Sequence, residues 1–190
     1  MRFSLNYFVL LGAASVANAL ISPNQLTRRI DDLVHKTEDL IKPAGQLSIS
    51  NAPQLILGSG PFFASHTTTE VITGLRDVTR MTTDIGGSLS GAAKGTFDGK
   101  DGDQIVASVK KLSNTFSDLL DAFLDKANIF GKIPFVDAPF RLAIVLTKRA
   151  FEDFTGNIIN SLSGSQANEA RSSVQSVDEK FTRTFTIIED

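Results

Sequence analysis

Apolar side chains recur at steps of three and four residues through most of this chain, in five stretches cut apart by glycine and proline. That spacing puts them on one face of an α-helix. A helix with one oily face must bury it against a neighbour. From Ser22 to Lys42 the stripe is Leu26, Ile30, Leu33, Thr37, Leu40 and Ile41, and Ser22-Pro23-Asn24-Gln25 reads as a capping box with proline at the first helical position. Pro43 is expected to stop this helix. The second stretch, Pro61 to Lys94, carries Val71, Leu75, Val78, Thr82, Ile85, Leu89 and Ala92. Its glycines weaken it, and Gly86-Gly87 reads as a kink, a close helix crossing or a hinge.

The third stretch, Asp103 to Phe130, has the longest stripe: Ile105, Val109, Leu112, Phe116, Leu119, Leu120, Phe123, Ala127 and Phe130. The fourth, Pro139 to Leu162 with Asp137 as N-cap, carries Phe140, Ile144, Phe151, Phe154, Ile158 and Leu162, with Thr147 among them. The fifth runs from Gln166 to the end through Ala167, Ala170, Val174, Val177, Phe181, Phe185 and Ile188. The fold class predicted is all-α, an up-and-down bundle of about five amphipathic helices. Residues 43–60, which hold Pro43, Gly45, Pro53, Gly58 and Gly60 around Leu55-Ile56-Leu57, read as a long loop with a short docked turn.

Residues 1–19 read as a signal peptide rather than as fold. Arg2 is followed by an apolar run, Phe8 to Val16, and by the small-x-small site Ala17-Asn18-Ala19. The domain expected is therefore 20–190, one helical bundle, and the protein is expected to be secreted. Losing Arg2 leaves 18 of the 19 basic residues against 21 acidic ones, a net charge of −3, which offers no basic patch for nucleic acid. No second long apolar run follows, so neither a transmembrane span nor a C-terminal lipid-anchor signal is expected. There is no cysteine, which excludes thiol catalysis and zinc–thiolate sites and leaves the core to packing alone. Of 14 Phe, 12 fall after residue 19, where there is no Trp and no Tyr. Phe has no polar handle, so a lectin-like aromatic face is disfavoured.

Catalytic constellations are sparse. The two histidines, His35 and His66, read as surface or boundary residues, and no Gly-x-Ser-x-Gly elbow is present. Asp98 to Asp103 has acidic residues near a glycine, but Lys100 breaks the alternation that a calcium loop needs and no glutamate follows in place. It reads as a turn and helix N-cap. Asp31-Asp32 and Glu38-Asp39 are adjacent pairs pointing to different helical faces. Arg28-Arg29 is a dibasic pair open to secretory-pathway cleavage, or an exposed helix face. No Asn-x-Ser/Thr acceptor occurs, while the many Ser and Thr residues leave O-mannosylation open. No catalytic residue, metal site or cofactor is expected.

Asp103-Gln104-Ile105-Val106 with its stripe, Leu119-Leu120-Asp121-Ala122-Phe123-Leu124-Asp125-Lys126, Phe130 before a proline-bearing link, and Val177-Asp178 with Phe181 form an ordered set. In that set the chain resembles the hydrophobic surface-binding protein A family of fungi, which includes the cell wall galactomannoproteins. The likeness covers about two-thirds of the chain after the signal. It departs in the long loop at 43–60 and in having no Ser/Thr-rich tail or anchor signal after Asp190. It implies a secreted, non-catalytic helical domain whose relatives coat hydrophobic surfaces, recruit lipolytic enzymes or hold a fatty acid.

The Phe-rich stripes read either as plain core or as the lining of an elongated apolar cavity. Candidate lining residues are Phe116, Leu120, Phe123, Phe151, Phe154, Phe181 and Phe185, with Leu75 and Val78 opposite. The first function expected is binding of a hydrophobic surface or a lipid such as a fatty acid. The second is a structural wall mannoprotein without an internal ligand; beside a hydrophobic surface or lipid, cell wall glycans and secreted lipolytic enzymes are the partners considered. The third is a small hydrolase.

Overall fold

The computed structural model describes residues 21–48, 66–126 and 137–189. The expected signal peptide, most of the loop at 43–60 and the link around Phe130 lie outside them. Five helices account for most of the described chain: α1 (Pro23–Gly45), α2 (His66–Ser88), α3 (Gly99–Leu124), α4 (Asp137–Ser161) and α5 (Gly164–Glu189). Among the described residues the only β pairing is an isolated bridge between Phe97 and Leu162. The fold is the all-α bundle that the periodicity predicts.

Helix α1 starts where the sequence places it. Ser22 Oγ accepts from the Gln25 N–H at 3.3 Å, and Gln25 Oε1 accepts from the Ser22 N–H at 3.3 Å, so each side chain satisfies the other residue's backbone donor. The helix runs three residues past the expected Lys42, because Pro43 lies inside the last turn. Its fixed φ suits a helix, and so near the end only one backbone bond is lost. The Gln46 N–H then reaches the carbonyls of Lys42 and Pro43, both at 3.1 Å.

Helix α3 begins at Gly99, four residues before the expected Asp103. Asp98 holds the N-cap position in extended backbone, but its side chain makes no capping bond. The link before it turns on Gly91 and Gly95, whose φ values of 89° and 74° L side chains rarely adopt. Helix α4 includes Asp137 as its first residue rather than as its cap, and α2 ends at Ser88, short of the expected Lys94.

Inter-helix contacts give the topology. Lys36 pairs with Asp77 at 3.1 Å, and Gly74 faces the Leu40 side chain, so α1 and α2 run antiparallel. Thr79 meets Thr147 and Gly86 meets Phe154, so α2 and α4 run in the same direction. Lys110 pairs with Glu169, and Lys180 with Asp121 at 2.5 Å, which makes α3 and α5 parallel. Phe123 meets Phe140 while Phe116 meets Phe151, so α3 and α4 are antiparallel. Among the described residues the chain therefore makes five passes, alternately up and down. Its helices close a ring in the order α1, α2, α4, α5, α3 and back to α1.

One continuous core fills the ring, from Leu26, Ile30 and Leu33 on α1 to Val177 and Phe181 on α5. Burying each large side chain contributes about 1.5–3 kcal/mol, enough to hold the bundle without a disulfide. One end is closed by polar bonds as well. Gln166 Nε2 donates to Gly99 O at 2.8 Å and to Asp103 Oδ1 at 2.7 Å, and Ser163 Oγ donates to Gln166 Oε1 at 2.9 Å. The Phe97 N–H donates to Ser161 O at 2.9 Å beside them.

Candidate functional site

The nine apolar residues proposed from the sequence come from four helices: Leu75 and Val78 from α2; Phe116, Leu120 and Phe123 from α3; Phe151 and Phe154 from α4; Phe181 and Phe185 from α5. The structure brings them into one core. Eight are buried, and Phe185 is partly buried against that core. Phe116, Phe151 and Phe181 form a three-ring cluster. The Phe116 and Phe151 centroids are 4.7 Å apart, and each is 6.1 Å from Phe181. Tilted rings at these separations attract one another beyond their burial alone. Phe123 packs edge-on against Phe140 at 5.0 Å, towards the start of α4.

The open spaces between helices lie elsewhere. A groove of about 560 Å³ runs between the middle of α2 and the start of α4, lined by Arg76, Thr79, Arg80, Pro139, Leu142 and Leu146, with Ala138 and Ala143. Leu142 is 57% exposed and Leu146 43%, and they are the exposed large hydrophobics among the described residues. A second groove of about 300 Å³ follows the same seam, lined by Thr83, Gly86, Ser90, Asp153 and Asn157 among others. A third, about 380 Å³, lies between α1 and α2 beside Arg29, Asp32 and Asp84.

Sequence reasoning missed the first groove. Its signal was present: Leu142 and Leu146 sit four residues apart on α4, off the stripe of Phe140, Ile144, Thr147 and Phe151. Arg76 and Arg80 sit four apart on α2. Each pair shares a helix face, but the chain does not announce that α2 and α4 are neighbours.

The seam beneath the groove is polar. Thr79 Oγ1 and Thr147 Oγ1 lie 2.9 Å apart, and each is 2.8 Å from the carbonyl four residues back, Leu75 O and Ala143 O. One hydroxyl donates to its own carbonyl while the other donates across the seam. Further along, Asn157 Nδ2 donates to Gly86 O at 3.2 Å. Gly86 is a close crossing, since a Cβ there would stand 3.3 Å from the Phe154 Cα.

Among the described residues the titratable groups do not converge on a reaction centre. His35 is exposed and bonded to Glu38 at 3.2 Å. Asp178 on α5 has its carboxyl pushed above the usual carboxylate range, first by burial and then by the Glu152 charge, while Lys148 opposes the shift. Among the described residues no group of three or more His, Asp or Glu side chains is placed to hold a metal ion, and no helix is long and apolar enough to cross a membrane.

No family model and no curated protein matches the sequence. A solved structure does match the bundle: the crystal structure of AFMP4P in complex with palmitic acid, at a TM-score of 0.73 and 8% identity, over 88% of this chain and 99% of that one. The chain has the AFMP4P fold. At this identity the likeness is one of architecture, with the same succession of helices carrying different side chains.

Proposed function

We propose that this is a secreted, non-catalytic protein that binds a long-chain fatty acid, and that it belongs with the hydrophobic surface-binding and cell wall galactomannoproteins of fungi. The observation that carries this reading is the shared bundle with AFMP4P, which holds palmitic acid. Two features of the chain support it. The buried side chains include a cluster of phenylalanines with no Tyr or Trp beside them, apolar surface of the kind an acyl chain packs against. The spacing at residues 1–19 suits export, where a free fatty acid needs a carrier.

The acyl chain lies against the Phe-rich interior, near Phe116, Leu120, Phe123, Phe151, Phe154, Phe181 and Phe185, with Leu75 and Val78 across from them. Ring centroids 4.7 Å apart leave no room for a chain between Phe116 and Phe151, so a bound acyl group takes its place by shifting rings or by lying along a helix seam.

The test is mass spectrometry of organic extracts from the protein purified from culture medium. A stoichiometric fatty acid is expected. A protein that adsorbs to hydrophobic beads and yields no lipid is instead a surface coat, and the carrier reading fails. Glycan and lipolytic-enzyme partners are separate proposals, tested by pull-down from secreted fractions.

A further inference from the structure

We infer that the groove between α2 and α4 is the head-group site of that fatty acid, with Arg76 and Arg80 holding the carboxylate and Leu142 and Leu146 receiving the first part of the tail. The inference rests on the chain being a fatty-acid binder, and its test separates the two.

Charge and exposure together select this groove. Of the three grooves, the one between α1 and α2 sets Arg29 beside Asp32 and Asp84, and the lower one on the α2–α4 seam holds Asp153. Both oppose an anion. Among the described residues, the upper groove is lined by two guanidinium groups and no carboxylate. Arg76 and Arg80 are exposed and make no ion pair among the described residues. Their i,i+4 spacing places them side by side on α2, in reach of one carboxylate. Facing them on α4, Leu142 and Leu146 keep 57% and 43% of their surface in water. Large apolar side chains left exposed next to unpaired cations are the two halves of an amphipathic anion's site. The volume, about 560 Å³, lies in the usual range for small-molecule sites, about 300–1,000 Å³.

Position agrees with charge. The other end of the bundle is closed by the Gln166 bonds to Gly99 and Asp103 and by the Phe97–Ser161 bond. The groove opens towards the start of α4, the end where Phe140 packs on Phe123. Leu142 and Leu146 thus lie at the same end of the bundle as the Phe123–Phe140 pair.

The experiment compares cis-parinaric acid, a fluorescent fatty acid, with its methyl ester, on the full chain and on Arg76→Gln/Arg80→Gln. Both arginines are exposed, so dichroism and melting should be unchanged. The wild-type chain is expected to bind the acid more tightly than the ester, and the double variant to lose about five- to tenfold in affinity for the acid and little for the ester. Leu142→Gln should weaken both. Equal affinity of wild type and double variant for the acid overturns the site while leaving the fatty-acid reading intact. No binding by wild type overturns that reading itself. If the arginine substitutions abolish sedimentation with phosphatidylglycerol vesicles and leave acid binding alone, the groove meets a membrane surface and the head-group site is wrong.

Discussion

Thr79 on α2 and Thr147 on α4 place their hydroxyl oxygens 2.9 Å apart, joining residues 68 positions distant in the chain. Thr147 is buried and Thr79 partly so, which makes this a polar rivet across the α2–α4 seam. Thr147→Val keeps the shape and removes the cross-seam bond, while Thr79 keeps its own partner, Leu75 O. The expected loss is about 1 kcal/mol. It should appear as a lower urea midpoint at unchanged slope. An unchanged midpoint would mean that the pair contributes nothing.

Two adjacent glycines on α2 should respond in opposite ways. At Gly86 an added Cβ meets the Phe154 backbone at 3.3 Å, and a backbone atom cannot swing aside. At Gly87 nothing lies within 4 Å. Gly86→Ala is expected to destabilise by about 1 kcal/mol, because the helices must part despite the better helix former. Gly87→Ala is expected to stabilise by about 0.5 kcal/mol. Thermal unfolding of both variants checks the pair, and like signs would contradict the crossing.

Phe151 touches both other rings of the central cluster and is fully buried. Phe151→Ala should cost about 3–5 kcal/mol, the transfer term plus the cavity left behind. Domains are commonly stable by about 5–15 kcal/mol, so the variant should sit near the edge of folding. Denaturant titration gives the value; a loss under about 1 kcal/mol would mean a loosely packed interior.

Much of this was readable from the chain. The Ser22 capping box and the stripes of α3 up to Phe123 and of α5 up to Phe185 depend on neighbours three and four residues away, and the structure has them where the spacing put them; Ala127, Phe130 and the Ile188 side chain lie outside the described residues. The start of α3 was not readable. Gly99, Gly102 and three aspartates look like a turn, yet Gly102 is buried under Gln166, where any Cβ would come within 2.3 Å of Gln166 Oε1. Only a partner 64 residues away explains that glycine. The groove was hidden for the same reason: Arg76 and Leu142 belong to one site because α2 lies beside α4, a choice made by ring order rather than by periodicity.

Asp178 makes stability depend on pH. Its Oδ1 is buried with no hydrogen-bond partner among the described residues, and burial, with Glu152 nearby, raises its pKa above the ordinary 3.8. The folded chain therefore holds this proton to higher pH than the unfolded chain does. Stability contributed by the group falls as pH rises from 3.8 through the raised value, and the cost persists above it. Asp178→Asn removes the ionisation, so its advantage over wild type should grow with pH across that window and then level off. Urea midpoints of both proteins from about pH 3 to 7 check the sign. A difference that does not vary with pH would contradict it.

The central claim is that this bundle takes up one fatty acid. A palmitate of about 18 heavy atoms, at about 0.3 kcal/mol per atom, gains about 5 kcal/mol, which corresponds to a Kd of about 0.1 mM. Calorimetric titration of the delipidated protein with palmitate tests this directly. The account predicts a saturable isotherm with one site, in that range or tighter. Heats that never saturate up to the solubility limit of palmitate would contradict it.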